Sequence, residues 1–357
     1  MTIKNYHRII FQPARVLAFG LVNTLQSDNR GVCGCAEGND GTIKEGKAHM
    51  LGDLVVCYLF LGGAGAGATL LLFVFGLLTP DALVRTSRQG RLRVHPQRAY
   101  RRFFAFGFVA AALALLLGTI FLLEDVGRVD RLLLLLLQPS ASFLSIGAVS
   151  LTALILLSGF FAWMWCADVA RVPHRLVRCG EIGGIVLSLA VIVYTGLLLQ
   201  SVRAIALWAS PFVPVLFVLS SLSTGIALIM ATMYLTGSAR YYATTLARLA
   251  RIDMIVIAIE GVCLAVFSAV VFNDALAGSS AQTMIFGEHA VMFWCGLVLF
   301  GLIVPFVVEA LSGHKGSGYL MLASSLVLVG GFCLRWCIAN AGIAPDVVAS
   351  AMVGLGW

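Results

Sequence analysis

Ionisable side chains crowd into one short stretch of this strongly apolar chain, and they are of the kinds that bind polar ligands or carry protons. Five of them lie within eight residues: Glu124, Asp125, Arg128, Asp130 and Arg131. Apolar runs stand on both sides of this stretch. Ionisable groups at membrane depth cost free energy, so their presence indicates a functional role. Asp125 and Arg128 are also spaced to pair at a helix end, so a purely structural role stays open.

The composition is that of a membrane protein. Of the 357 residues, 60% are apolar and 11% are charged, and the mean hydropathy is +0.97. Soluble proteins carry about 25% charged residues. The apolar runs are continuous rather than alternating, which predicts helices and excludes a barrel. We therefore predict an all-α integral membrane protein.

Eight apolar runs are long enough to cross a hydrocarbon core of about 30 Å. They cover residues 51–78, 102–123, 143–166, 181–200, 212–236, 252–273, 286–309 and 319–340. The pattern LFLGGAGAG at 59–67 returns faintly as LFVLSSLST at 216–224, which favours two four-helix bundles. The predicted domains are an N-terminal tail over 1–50, bundles over 51–200 and 201–342, and a C-terminal tail over 343–357.

Arginine and lysine are distributed unequally between the two ends of the spans. One side carries fourteen, seven of them between residues 81 and 102, whereas the other side carries three. By the positive-inside rule the rich side is cytoplasmic, which places both termini outside. The formal charge of +7 is thus a topology signal, and it predicts contact with the lipid bilayer and no nucleic-acid partner.

The first fifty residues suit an interfacial segment or precede an alternative start at Met50. Cys33 and Cys35 in this tail cannot supply the four ligands of a zinc site or an iron–sulfur cluster. A b-type haem needs two histidines on facing helices, and only His289 lies clearly inside a span. We expect no metal or haem in this chain.

The glycines at 63, 65 and 67 are spaced like part of a dinucleotide-binding loop. That loop requires a strand before it and a helix after it, in water. Here the glycines lie inside span one, where small residues let two helices approach closely. We predict a helix-packing role for them.

The predicted topology sorts the other polar residues by depth. Near the outer face, besides the 124–131 stretch, lie Asp53, Tyr58, Tyr194, Glu288, His289 and Arg335. Deeper or nearer the cytoplasm lie Glu181, Asp253, Glu260 and Glu309. Asp253 and Glu260 are seven residues apart, hence on one helix face about 10 Å apart along the axis. Proton or ligand chemistry is indicated, while counter-ion, aromatic-belt and helix-bracing roles stay open.

Several motifs together resemble the NrfD/polysulfide reductase membrane-subunit family. They are YLFLGGAGAGA at 58–68, LEDVGRVDRLLLLLLQPSASFLSIGA at 123–148, YTGLLLQSV at 194–202, RIDMIVIAIE at 251–260 and LRWCIANAG at 334–342. The likeness runs from residue 50 to residue 342. The family pattern usually has proline after Gly-Arg, where this chain has Val129.

The resemblance implies a quinone-reactive membrane anchor in the bacterial cytoplasmic membrane, part of an anaerobic respiratory complex. The implied ligand is menaquinol, and the implied partners are a 4Fe-4S ferredoxin-like iron–sulfur subunit and a molybdopterin catalytic subunit. The quinol-binding candidates are His49, Asp53, Tyr58, Glu124, Asp125, Arg128, Tyr194 and Arg335. The candidates for catalytic proton transfer are Asp125, Asp253, Glu260, Glu288 and His289. The direction of electron flow and the terminal substrate stay open.

Two other functions are compatible with the sequence. A secondary transporter would also place carboxylates in the membrane, but no span has the central proline and flanking glycines of a broken helix. A structural anchor that binds no quinone would need only the helices.

Overall fold

The chain folds into helices. In the computed structural model the described residues are 53–78, 95–126, 143–167, 174–202, 205–237, 243–274, 277–311 and 317–342. The first six helices are α1 Asp53–Leu78, α2 His95–Val126, α3 Phe143–Cys166, α4 His174–Gln200, α5 Phe212–Leu235 and α6 Ala243–Phe272. They are followed by α7 Gly278–Ile285, by α8, which is π-helical over Met292–Ile303 and α-helical over Val304–Leu311, and by α9 Ser317–Ala341.

Eight of these helices, all except the short α7, are long and apolar enough to cross a membrane. They are the eight predicted spans, and no strand occurs in the described residues, so the all-α membrane fold is confirmed. Each described span is continuous, without the unwound midpoint expected of a broken transporter helix. The predicted tails, with His49 and the Cys33–Cys35 pair, lie outside the described residues.

The ends of the molecule can be named after α1. Gly62 of α1 lies against Gly118 of α2, and Gly76 near the other end of α1 lies against Glu181 of α4. Both neighbours therefore run antiparallel to α1. We call the two ends the Asp53 end and the Leu78 end. The predicted topology makes the Asp53 end the outer one.

Three helices begin earlier than hydropathy predicted. Helices α2, α4 and α6 start at residues 95, 174 and 243 rather than at 102, 181 and 252. The added turns carry arginines, among them Arg101, Arg178 and Arg248. A helix continues through such residues because their long side chains reach polar groups while the backbone stays hydrogen-bonded.

The approach to the seventh span differs from the prediction. The predicted loop between spans six and seven contains α7, and the seventh span begins at Met292 rather than at 286. Glu288 and His289 therefore precede the span instead of opening it. Helix α7 buries Ser280, Ala281 and Met284, a pattern too short to stand out by its period.

Helix α1 is the most buried span, and it packs against α2, α4 and α5. The predicted small-residue face is confirmed, because the backbone of Gly67 lies against Ser221 and Gly225 of α5, where no Cβ fits. Helices α1–α4 form one set of neighbours, and α5, α6, α8 and α9 form a second set that α5 joins to the first. The Trp208 indole N–H, just before α5, donates to the carbonyl of Ile338 on α9 at 2.8 Å. The domain boundaries themselves stay a prediction.

Candidate functional site

Two buried tyrosines lie near the Asp53 end of the first helix set. Tyr58 on α1 is 1% exposed and Tyr194 on α4 is 7% exposed. Their hydroxyls approach each other, but not in a geometry that satisfies the Tyr58 hydroxyl, which has no hydrogen bond partner among the described residues. Because an unpaired buried hydroxyl is costly, it marks a position where a ligand or water can supply the partner.

A glycine makes room for the tyrosine pair. A Cβ at Gly147 of α3 would overlap the ring of Tyr194, whereas one at Gly62 of α1 would lie in ordinary van der Waals contact with the ring of Tyr58. Gly147 belongs to the Ser-x-Gly motif at 145–147, whose physical role the sequence did not reveal. Helices α1, α3 and α4 together therefore fix the two rings.

The other residues predicted for this end are exposed or outside the described part. Glu124 and Asp125 are exposed in the last turn of α2. Asp53 begins α1, but its side chain, like all of His49 and Arg128, lies outside the described residues. The structure thus brings Tyr58 and Tyr194 together and leaves the contact of these other residues with the pair a prediction.

Arg335 of α9 is fully buried between the two helix sets. Its Nη1 donates to the Ser220 hydroxyl at 3.0 Å and to the carbonyl of Gly331 at 2.8 Å, and its Nη2 donates to the Ser221 hydroxyl at 2.8 Å. A Cβ at Gly63 of α1 would lie 2.6 Å from Nη2, so a larger residue there would displace the guanidinium. These neutral partners leave the charge of Arg335 to be balanced by an acid.

Glu260 of α6 is the acid that balances Arg335. The two side chains attract each other, and the Ser220 hydroxyl lies within hydrogen-bonding reach of the Glu260 carboxyl. Because Ser220 accepts from Arg335, its own proton is left to donate to Glu260. Ser220 therefore lies between Arg335 and Glu260, and Glu260 is the candidate counter-ion for Arg335.

A second acidic cluster lies in the second helix set, closer to the Leu78 end than Glu260. The Ser223 hydroxyl donates to Oδ1 of Asp253 at 2.7 Å, and Glu309 of α8 interacts with Asp253. Among the described residues, Oδ2 of Asp253 and both carboxyl oxygens of Glu309 lack a conventional donor. Two carboxyls can hydrogen-bond each other only when one carries a proton. A hydrogen bond between Asp253 and Glu309 therefore requires a proton on one of them, and water is the other possible donor.

Glu181 lies apart from these acids, in the first helix set. Its Oε2 is 3.4 Å from Nη1 of Arg178, which also donates to the carbonyls of Gly76 and Leu77 at the end of α1. This arrangement braces α4 against the last turn of α1. Of the four deeper carboxylates that the sequence analysis named, the second helix set therefore holds three, Glu260, Asp253 and Glu309, which we call the line of acids.

The structure also locates the two residues before the seventh span. His289 is half-buried, and its ring meets that of Trp336 on α9 edge-on at 5.0 Å. Glu288 is exposed in the turn before α8. Their role in proton transfer stays a prediction.

The serines of α5 are the functional candidates that the sequence analysis missed. Ser220, Ser221 and Ser223 are all buried and all bond to charged side chains. The signal was present, since three serines and a threonine occupy four of the five consecutive positions 220–224 of an otherwise apolar span. Such a cluster in a membrane helix indicates buried polar partners on neighbouring helices.

The donors and acceptors in these clusters are phenol, hydroxyl, carboxyl and guanidinium groups. Within the part of the chain that the structure describes, no three His, Cys, Asp or Glu residues are grouped to hold a metal ion. The fold and the clusters define a polytopic helical membrane protein with a tyrosine pair in one helix set and a line of acids in the other. The family described as Polysulphide reductase, NrfD matches residues 43–345, and the chain belongs to that family.

Individual relatives agree with this membership. A polypeptide of the polysulfide reductase of Wolinella succinogenes is 27% identical over 311 residues, which are 81% of this chain and 92% of that protein. The NrfD homolog of Haemophilus influenzae is 23% identical over 175 residues, 48% of this chain and 54% of that protein. A subunit of the selenate reductase of Mesobacillus selenatarsenatis is 28% identical over 186 residues, 51% of this chain and 42% of that protein.

Proposed function

We propose that this chain is the quinone-reactive membrane subunit of a bacterial respiratory complex. It would exchange electrons between menaquinol and an iron–sulfur partner subunit at the outer face of the cytoplasmic membrane, and a molybdopterin subunit would complete the complex. Family membership and the eight candidate spans support the anchoring role. The single observation that carries the ligand-binding role is the Tyr58 hydroxyl, buried and without a hydrogen bond partner among the described residues.

The tyrosine pair has the chemistry to hold a quinone headgroup. A phenol O–H donates to a carbonyl oxygen or accepts from a hydroxyl, and the two rings supply apolar walls. Menaquinol, when bound, supplies two electrons and two protons. The packing of α1, α3 and α4 around the pair fixes the orientation of the two phenols. Glu124 and Asp125, exposed at the end of α2, would take up protons and release them to solvent.

The acids of the second helix set would carry protons toward the Leu78 end. Arg335 and Ser220 hold Glu260 in place, and Asp253 with Glu309 can share a proton. The link to the tyrosine pair runs along α1, where Gly63 contacts Arg335 and Tyr58 lies five residues earlier, about 7.5 Å of helix rise. This geometry supports proton movement in step with turnover, in either direction of electron flow.

The names of two relatives support assembly with other subunits. One is named as part of a polysulfide reductase and the other as part of a selenate reductase. Oxidation of menaquinol would require a partner subunit to accept the electrons. An iron–sulfur subunit docked near Glu124 and Asp125 would meet this need at the end where the tyrosine pair lies.

Tyr58→Phe tests the ligand-binding role directly. The substitution removes the unpaired hydroxyl and keeps the ring, so the complex should assemble normally. Turnover of the purified complex with a soluble menaquinol analogue should fall about 100-fold. The matched control is Tyr234→Phe on α5, where the side chain is 38% exposed. Asp125→Asn tests the predicted proton acceptor in the same assay, and unchanged turnover in both variants rejects this site.

Purification with partners separates the alternative functions. Iron, molybdenum and extractable menaquinone should accompany the affinity-tagged protein from native membranes. A structural anchor would bring the metals without the quinone, and a secondary transporter would bring neither.

A further inference from the structure

A basic groove opens at the Leu78 end of the first helix set, away from both clusters. It has a volume of about 500 Å³ and lies between the first turns of span two and the last turn of span three. Its lining residues are Arg101, Arg102, Ala105, Phe106, Trp165 and Cys166. Neither the tyrosine pair nor the line of acids uses any of them.

Hydrogen bonds and ring contacts hold the wall of the groove together. Arg101 donates from Nε to the carbonyl of Trp165 at 3.2 Å and from Nη2 to the carbonyl of Cys166 at 3.0 Å, which fixes it against the end of α3. The ring of Trp165 stacks on Phe104 with centroids 5.1 Å apart and meets Tyr100 at 5.8 Å. A fixed guanidinium beside a fixed aromatic ring is an ordered site rather than a loose patch of surface charge.

The rim combines an exposed cation with exposed apolar rings. Arg102 is exposed, and Phe106, one turn further into the span, is 54% exposed. Trp163 on the neighbouring helix is 56% exposed. Span two begins at Tyr100 and span three ends at Cys166, so the arginines lie at the ends of two candidate spans and the exposed rings lie further along them. A ligand with an anionic head and an apolar body matches both features.

We propose that this groove binds an anionic phospholipid. The phosphate lies against Arg101 and Arg102, and an acyl chain runs past Phe106. Basic pockets between membrane helices on the cytoplasmic side bind anionic headgroups in this way. The arginine count predicts that the Leu78 end is the cytoplasmic one, where anionic lipid is available.

Cys166 provides a built-in reporter, because it lines the groove and its thiol is exposed. Cys179, exposed near the same end on α4, is a reference thiol outside the groove. The full-length protein, with any subunits that accompany it, is placed in nanodiscs of phosphatidylcholine with increasing phosphatidylglycerol. Labelling by a neutral maleimide is then followed at each cysteine by peptide mass spectrometry. The ratio of the two rates cancels the general effect of surface potential.

The Cys166-to-Cys179 rate ratio should fall at least threefold as phosphatidylglycerol is added. Arg102→Gln should raise the lipid fraction needed for half of this protection about fivefold, the weight of one arginine near an anionic surface. Arg248→Gln, an exposed arginine of α6 near the same end, should leave it unchanged. A constant ratio in the wild type, or equal shifts in both variants, overturns the proposal. Equal protection by inorganic phosphate without anionic lipid overturns the lipid assignment.

Discussion

Gly147 has no Cβ, and a Cβ at this position would overlap the ring of Tyr194. Gly147→Ala therefore displaces that ring from the tyrosine pair. Because a displacement of about 1 Å can cost a catalytic site about 100-fold, we expect turnover with a menaquinol analogue to fall about 10- to 100-fold. Copurification of the partner subunits measures assembly, which should be retained.

Gly159 supplies the matched control on the same helix. Nothing lies within 4 Å of the Cβ that alanine would add there. Gly159→Ala should leave turnover within about twofold of the wild type. Equal losses in the two variants would show that α3 tolerates no alanine, and the loss at Gly147 would then say nothing about Tyr194.

The electrostatic attraction between Arg335 and Glu260 predicts coupling between two single substitutions. Arg335→Met leaves the Glu260 carboxyl buried without its counter-ion, and Glu260→Gln leaves Arg335 in the same state. Each should lower the free energy of unfolding by about 3–5 kcal/mol. The double variant removes both charges and should lose clearly less than the sum. Denaturant titrations of the protein in mixed micelles measure the cycle, and additive losses would contradict the pair.

At the scale of single elements, the crossing of α1 and α5 depends on glycine. The backbone of Gly67 touches Ser221 and Gly225, so an added methyl group must push the helices apart. Gly67→Ala should destabilise the protein by about 1–3 kcal/mol, the usual cost of overpacking. Gly183 of α4 is the control, since nothing lies within 4 Å of its would-be Cβ. The same micelle titration compares them, and equal stability would show that the crossing yields easily.

The spans were predictable because a helix in lipid requires a run of about 20 apolar residues, which can be seen in the sequence. Their starts at the Leu78 end were less predictable. Arginines ended the apolar pattern but not the helices, as Arg101 and Arg178 show by donating to carbonyls of neighbouring helix ends. Helix α7 was missed because its buried face comprises only Ser280, Ala281 and Met284.

The sequence predicted the types of residue in the site, but only some of the contacts between them. Tyr58 and Tyr194 come from helices far apart in sequence, and depth alone suggested that they meet. Glu181 and the other acids lie in different helix sets because of which helices are neighbours. The spacing of residues along the sequence does not reveal those neighbours. The α5 serines were visible in the sequence, but their meaning depends on Arg335 and Asp253 lying opposite.

At the scale of the whole molecule, the tyrosine pair and the line of acids occupy different helix sets that meet along α1 and α5. If the proposed function holds, electron transfer and proton movement therefore depend on different residues. Tyr58→Phe should lower both to the same extent. Glu309→Gln should leave electron transfer intact, because the substitution keeps the side-chain volume far from the tyrosine pair.

Proteoliposomes containing the complex and a trapped pH indicator distinguish the two effects. With a protonophore present, Glu309→Gln should turn over within about twofold of the wild type. Without it, the variant should move fewer protons per electron pair, since the Asp253–Glu309 pair can no longer pass a proton between two carboxyls. Asp274→Asn, an exposed acid at the end of α6, should keep the wild-type ratio. An unchanged ratio of protons to electron pairs in Glu309→Gln would show that Asp253 and Glu309 only brace the helices. Proton exchange would then occur at the Asp53 end alone.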